Sequence, residues 1–134
     1  EPFLVASTLN VVIAQRLVRK ICTHCSESHK PNSEVLKEFS QSSHININIL
    51  NKQKYFKGKG CGECSDSGYK GRIGIYEIFE MDDDLQELVL KKAPVSEIRK
   101  LAESKGMKSL VRDGLDKIAL GVTTLEEVLR VTKE

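Results

Sequence analysis

Four cysteines in two C-x-x-C pairs, Cys22-Thr23-His24-Cys25 and Cys61-Gly62-Glu63-Cys64, constrain this chain more than any other feature. Each pair sets two thiolates on one tight turn, where both can point at the same ion. Two such turns complete a tetrahedral, all-thiolate site of the kind that suits zinc. No cysteine is left over. Between the pairs lie 35 residues, more than the 15–20 of many compact zinc modules, which implies an inserted segment. Disulfides would suit a secreted chain, and nothing else here looks extracellular. A redox dithiol would need a helix start inside a βαβ pattern, which neither pair has. The predicted ligands are Cys22, Cys25, Cys61 and Cys64, around a structural Zn2+ with no open position for water or substrate. Gly58, Gly60 and Gly62 should let backbone N–H groups turn toward the sulfurs. His24, His29 and His44 read as solvated loop residues.

Periodicity supplies the rest of the expected architecture. Apolar residues at Leu4, Val5, Leu9, Val12, Ile13, Leu17, Val18 and Ile21 follow a 3.6-residue stripe, predicting a helix over 3–21. Residues 26–53 read as a surface excursion, with a short helix from Ser33 to Phe39 starting on Asn32 and a weakly strand-like stretch over 40–51. Tyr55 and Phe56 suggest a short strand. Residues 72–79 alternate as a second one expected to pair with it, and Gly71 and Gly74 mark a turn, bulge or close approach. Beyond Asp82 four short helices are expected. Asp82–Asp84 should cap the first, Pro94 open the second, Gly106 and Gly121 stop the second and third, and Thr123 with Glu126 cap the last. The fold class is α+β, mainly α: a tetracysteine module with a small β-hairpin, flanked by an N-terminal helix and a C-terminal bundle of short helices. The segments are 1–21, 22–80 and 81–134.

Composition narrows function further. Twenty-one Lys and Arg stand against nineteen Asp and Glu, a formal charge of +2. Four thiolates on one zinc ion would bring that to about zero. This balance disfavours a nucleic-acid binder, although a free-standing zinc-knuckle domain that binds nucleic acid or protein is the alternative reading. No run of about 18 apolar residues occurs, so no transmembrane helix is expected. Glu1-Pro2-Phe3 is neither an initiator Met nor a signal sequence, and the chain reads as a piece of something longer. There is no G-x-x-x-x-G-K-[ST], no G-x-S-x-G and no H-E-x-x-H. Nothing assembles a nucleophile with a base.

The phrase from Cys61 to Glu77, CGECSDSGYKGRIGIYE, resembles the tetracysteine region of the secretion and pilus-assembly ATPases, the family of type II secretion system protein E and the type IV pilus extension motor. That pattern is C-x-x-C-x-x-[ST]-G-Y-x-G-R-x-G-[IL]-[YF]-E, with Ser67 at the Ser/Thr position. The resemblance extends to Glu1–Leu9 and Ala14–Arg19, and to Gly106-Met107, Leu110, Asp113-Gly114 and Gly121–Val128. It implies that this is the part following a RecA-like core that binds ATP and Mg2+ between subunits of a hexamer. The motor, at the cytoplasmic face of the inner membrane, drives pilus or pseudopilus assembly. Catalysis would then belong to the parent protein and not to this chain alone. The implied metal ligands are the same four cysteines. The implied partners are the parent core and neighbouring subunits of the hexamer, with no nucleic acid; the basic residues flanking the zinc module, Lys57, Lys59 and Lys70, are expected to face an inner-membrane platform protein or a neighbouring subunit.

Overall fold

A computed structural model describes residues 10–133. In chain order it contains β1 (Val11–Ile21), β2 (Ser26–His29), α1 (Ser33–Ser43), α2 (Ile47–Lys52), β3 (Tyr55–Gly58), a 3-10 turn (Gly62–Cys64), β4 (Tyr69–Glu80), α3 (Asp83–Leu90), α4 (Val95–Ser104), α5 (Leu110–Ala119) and α6 (Leu125–Thr132). Among the described residues there are thus six helices and two two-stranded sheets, β1 with β4 and β2 with β3. The class is α+β and mainly helical, as expected. No described helix is long and apolar enough to cross a membrane.

Over the described residues the expected N-terminal helix is replaced by a strand. Val11–Ile21 is a strand, and the rest of the helix expected over 3–21 lies outside the described residues. The pairs Val12-Ile13 and Leu17-Val18 satisfy a helical stripe, but the same run is rich in β-branched residues, and pairing with β4 decides the outcome. Residues 72–79 likewise pair with β1 and not with the segment around Tyr55, which belongs to β2. Bonds at the two ends of the β1–β4 ribbon show that the strands run in opposite directions: Met81 N–H donates to Asn10 O, and Cys22 N–H to Gly68 O. Between those ends β1 advances twelve residues and β4 thirteen, so β4 carries one extra residue. Gly71, with φ of 81°, is where a glycine-type bulge fits, because that conformation is open to glycine and costly to others.

The described residues form two compact units, and both β1 and β4 contribute to each. One comprises residues 10–15 with Tyr76–Ser109. Here Asp82 caps α3 by accepting from Leu85 N–H (2.9 Å), and Lys105 Nζ reaches both Asp82 (2.6 Å) and Asp84 (2.7 Å). Those bonds from Lys105 hold the Asp82 carboxyl below its ordinary range. Arg99 on α4 forks onto Glu77 at 2.9 and 3.3 Å. Gln15 Nε2 donates to Tyr76 Oη (3.2 Å), so the two side chains share one face of the ribbon. By alternation Val11, Ile13 and Ile78 lie on that face too, and these apolar side chains are 47–61% exposed.

The other unit comprises Arg16–Ile75 with residues 110–133. Its core is Leu36, Phe39, Ile45, Leu50, Tyr55, Leu115, Ile118, Leu125, Val128 and Leu129. The segment expected to be a surface excursion therefore supplies four large core side chains, Leu36, Phe39, Ile45 and Leu50. Asn32 caps α1 as expected, but the helix runs to Ser43. The Ile/Asn alternation over 45–50 is not a strand: Asn46 accepts from Asn48 N–H (2.8 Å) and caps α2, whose Ile47 and Leu50 fall three apart on the core side. The last helix is capped one residue later than expected. Thr124, not Thr123, accepts from Glu127 N–H (3.2 Å), while the Thr123 hydroxyl donates to Arg19 O (2.7 Å) on β1. The other helix signals hold: Pro94 precedes α4, and Gly106 and Gly121 follow α4 and α5 with positive φ.

Helices α5 and α6 meet at Gly114. A Cβ there would stand 2.6 Å from Val128 Cγ1, a buried side chain with nowhere to move. Gly114→Ala should therefore lower the melting temperature. Overpacking costs about 1–3 kcal/mol, which outweighs the ~1 kcal/mol that alanine gains in a helix interior. Thermal unfolding followed by circular dichroism checks this; an unchanged or raised midpoint would contradict the close contact.

Candidate metal centre

The ends of four strands converge on the cysteines. Cys22 follows β1, Cys25 precedes β2, Cys61 follows β3, and Cys64 closes the 3-10 turn ahead of β4. The antiparallel ladder of β2 with β3, from His29↔Tyr55 to Ser26↔Gly58, closes the long gap between the pairs and leaves α1 and α2 as its loop. Lys59 N–H extends that ladder to Cys25 O (2.9 Å). On the other side Cys22 N–H donates to Gly68 O (2.9 Å), tying the first turn to the residue that leads into β4.

The result is a cluster of four sulfurs within 4.8 Å of one another. The Sγ separations are 3.8 Å for Cys22–Cys61, 3.8 Å for Cys25–Cys64 and 3.7 Å for Cys61–Cys64. A zinc ion with Zn–S bonds of about 2.3 Å at the centre of a tetrahedron sets its sulfurs about 3.8 Å apart. A disulfide needs about 2.0 Å, and all four cysteines are free. Backbone donors face the sulfurs: Gly60 N–H to Cys25 Sγ (3.3 Å), Cys61 N–H to Cys64 Sγ (3.4 Å) and Gly68 N–H to Cys64 Sγ (3.2 Å). Such donors favour thiolates and orient metal ligands. Of the three glycines expected to do this, Gly60 does. Gly58 instead packs on the backbone of Gly68, where a Cβ would collide with the Gly68 carbonyl. Gly68 itself was not anticipated as a sulfur donor.

Ionisation of the cluster is uneven. Burial opposes charge on Cys64, but the N–H groups of Cys61 and Gly68 and the thiols of Cys61 and Cys25 outweigh it, bringing that thiol down to about 6. Cys25 goes the other way. The Gly60 N–H favours its thiolate, yet burial and the three neighbouring sulfurs push it up to about 12. Without a cation, packing four sulfurs this closely resists full ionisation. A divalent cation removes that resistance. The three histidines stand apart from the cluster: His24 is exposed in the first turn, His29 lies on β2, and His44 ends α1 with φ of 62°.

Sequence reasoning missed a second polar cluster. Glu127 on α6 is 2% exposed, and its carboxylate accepts from Arg19 N–H (2.7 Å), Arg19 Nη2 (3.0 Å) and Arg130 Nη2 (3.0 Å). Arg19 also lies 4.1 Å above the Tyr69 ring, whose hydroxyl is 2.9 Å from Thr124 Oγ1. This network fastens β1 and the start of β4 to α6. The helix expected over 3–21 hid it, because Arg19 instead lies on β1, where it meets Glu127.

Burial opposes ionisation of Glu127, yet the bonds from Arg130 and Arg19 hold its carboxyl down at about 2 against an ordinary 4.5. A depressed folded-state pKa contributes stability that is present above the unfolded value and lost as pH falls through the folded one. Stability should therefore fall between pH ~5 and ~2 by about 3 kcal/mol from this group. Comparing Glu127→Gln with the parent chain in denaturant melts across that window isolates it. A variant with the same acid slope as the parent would contradict the assignment.

Comparison with known proteins identifies the family. A family model described as Type II/IV secretion system protein matches residues 1–130. The chain is 40% identical over 134 residues to the type IV pilus assembly ATPase PilB of Thermus thermophilus, covering 100% of this chain and 15% of that protein. It is 42% identical over 134 residues to the type II secretion system ATPase E of Vibrio cholerae, covering 100% of this chain and 25% of that protein. To the type IV pilus assembly ATPase TfpB of Acinetobacter baylyi it is 42% identical over 131 residues, 98% of this chain and 22% of that protein. The chain thus spans a quarter or less of the length of these relatives. With its tetracysteine cluster and a match along nearly its whole length, the chain belongs to the type II/IV secretion system protein family.

Proposed function

We propose that this chain is the zinc-binding and helical part of a hexameric motor ATPase that couples ATP hydrolysis to assembly of a pilus or pseudopilus. Its own role is structural and interactive. Cys22, Cys25, Cys61 and Cys64 hold one Zn2+, which supplies charge neutralisation and cross-linking and leaves no coordination position for a substrate. The single observation that carries this reading is the sulfur cluster at the meeting point of two ribbons, no pair more than 4.8 Å apart and three pairs at 3.7–3.8 Å. Structural zinc contributes on the order of 10 kcal/mol to small domains, comparable to the whole net stability of many.

ATP and Mg2+ belong to the parent protein, whose phosphate-binding loop has no counterpart in this sequence. The exposed apolar stripe of Val11, Ile13, Tyr76 and Ile78 supports a covered position in the parent, against its core or a neighbouring subunit. Lys57 and Lys59 are exposed and available to a platform protein at the cytoplasmic face of the inner membrane.

Two measurements test this. The full-length protein should hydrolyse ATP while the 134-residue chain alone does not; turnover by the isolated chain at the parent's rate would overturn the assignment. In the full-length protein, Cys61→Ser with Cys64→Ser should abolish assembly or secretion output yet leave nucleotide binding intact. Loss of nucleotide binding in that variant would place the cysteines in the catalytic machinery instead.

A further inference from the structure

Beside the second cysteine pair, the outer surface of the β1–β4 ribbon carries a concavity of about 400 Å³ lined by Arg19, Ser67, Tyr69, Lys70, Gly71 and Arg72. Three of these six residues are cations and none is an acid. Arg19 on β1 and Arg72 on β4 both line this one opening.

The charges are only partly compensated. Arg19 and Arg130 share the single carboxylate of Glu127. Lys70 lies 3.6 Å from Glu63, but both side chains are more than half exposed, and such pairs are worth little in water. Arg72 has no side-chain partner among the described residues. The concavity therefore keeps an excess of positive charge around one opening. Its guanidinium at Arg19 is already fixed in place by Glu127 and the Tyr69 ring, while a guanidinium carries five N–H donors and Glu127 uses only part of them.

We infer that this concavity is a binding site for a phosphate group. A phosphate dianion matches two arginines and a lysine lining one opening by charge and by paired N–H donation, and a fixed guanidinium pays less ordering entropy on binding than a mobile one. The group has two sources of the same chemistry, a soluble phosphate compound and the headgroup of an anionic lipid. This site is separate from the four sulfurs and stands whether or not they hold zinc.

The test is titration of the isotopically labelled 134-residue chain, followed by amide shifts at low ionic strength. The probes are inorganic phosphate, pyrophosphate and phosphatidylglycerol vesicles. Saturable shifts should centre on Arg19 and residues 67–72. Arg72→Gln should weaken binding at least about tenfold, in keeping with loss of a charge-assisted contact. Lys37→Gln, an exposed lysine on α1, should leave it unchanged. Arg72 is exposed, so its variant should fold, and an unchanged far-ultraviolet spectrum checks this. Saturation by pyrophosphate identifies a soluble ligand, whereas saturation by vesicles alone identifies a headgroup; either supports the site. Shifts reproduced by chloride at equal ionic strength, an equal loss in Lys37→Gln, or a response to polyglutamate but to neither phosphate probe would overturn it.

Discussion

The meeting of four sulfurs is the contact on which this structure depends. Two ribbons that share no strand, β1 with β4 and β2 with β3, each deliver their ends to the same point. Backbone bonds from Cys22 to Gly68 and from Lys59 to Cys25 bring the turns into register, and N–H groups of Gly60, Cys61 and Gly68 face the sulfurs. Ionisation in that cluster is uneven, favoured at Cys64 and opposed at Cys25. A bound divalent cation would favour all four thiolates and cross-link the two turns.

Around that point two other devices distribute the load. The apolar core of α1, α2, α5 and α6 closes the long connection between the cysteine pairs, so the connection is a structural wall and not a loose loop. Glu127 then ties α6 to β1 through a buried carboxylate met by two arginines. A buried carboxylate is costly unless fully bonded, and removing either arginine would leave charge stranded. The network therefore specifies how α6 meets the strands that lead into the cysteines. It also holds Arg19 over Tyr69, at the edge of the basic concavity.

How far the sequence was legible follows from the kind of signal each element carries. The cysteine cluster was legible, since spacing and number single out four candidate ligands, and the structure gathers all four. Caps and stops were legible where one residue type dominates, as at Asn32, Asp82 and Gly121. The strand β1 was not, because doublets such as Val12-Ile13 and Leu17-Val18 fit both periods and the deciding partner lies some sixty residues on. Residues 33–52 misled for another reason: their core side chains are sparse, and Asn46 serves as a cap where alternation reads it as the polar face of a strand. The Arg19–Glu127 contact spans 108 residues and leaves no local trace.

Cobalt substitution addresses the central claim most directly. Titration of the reduced chain with Co2+ should give one equivalent bound, with intense thiolate-to-metal absorption and the strong visible bands of tetrahedral coordination, both displaced by Zn2+. Weak bands of an octahedral ion, or no uptake by a chain with four reactive thiols, would contradict the account.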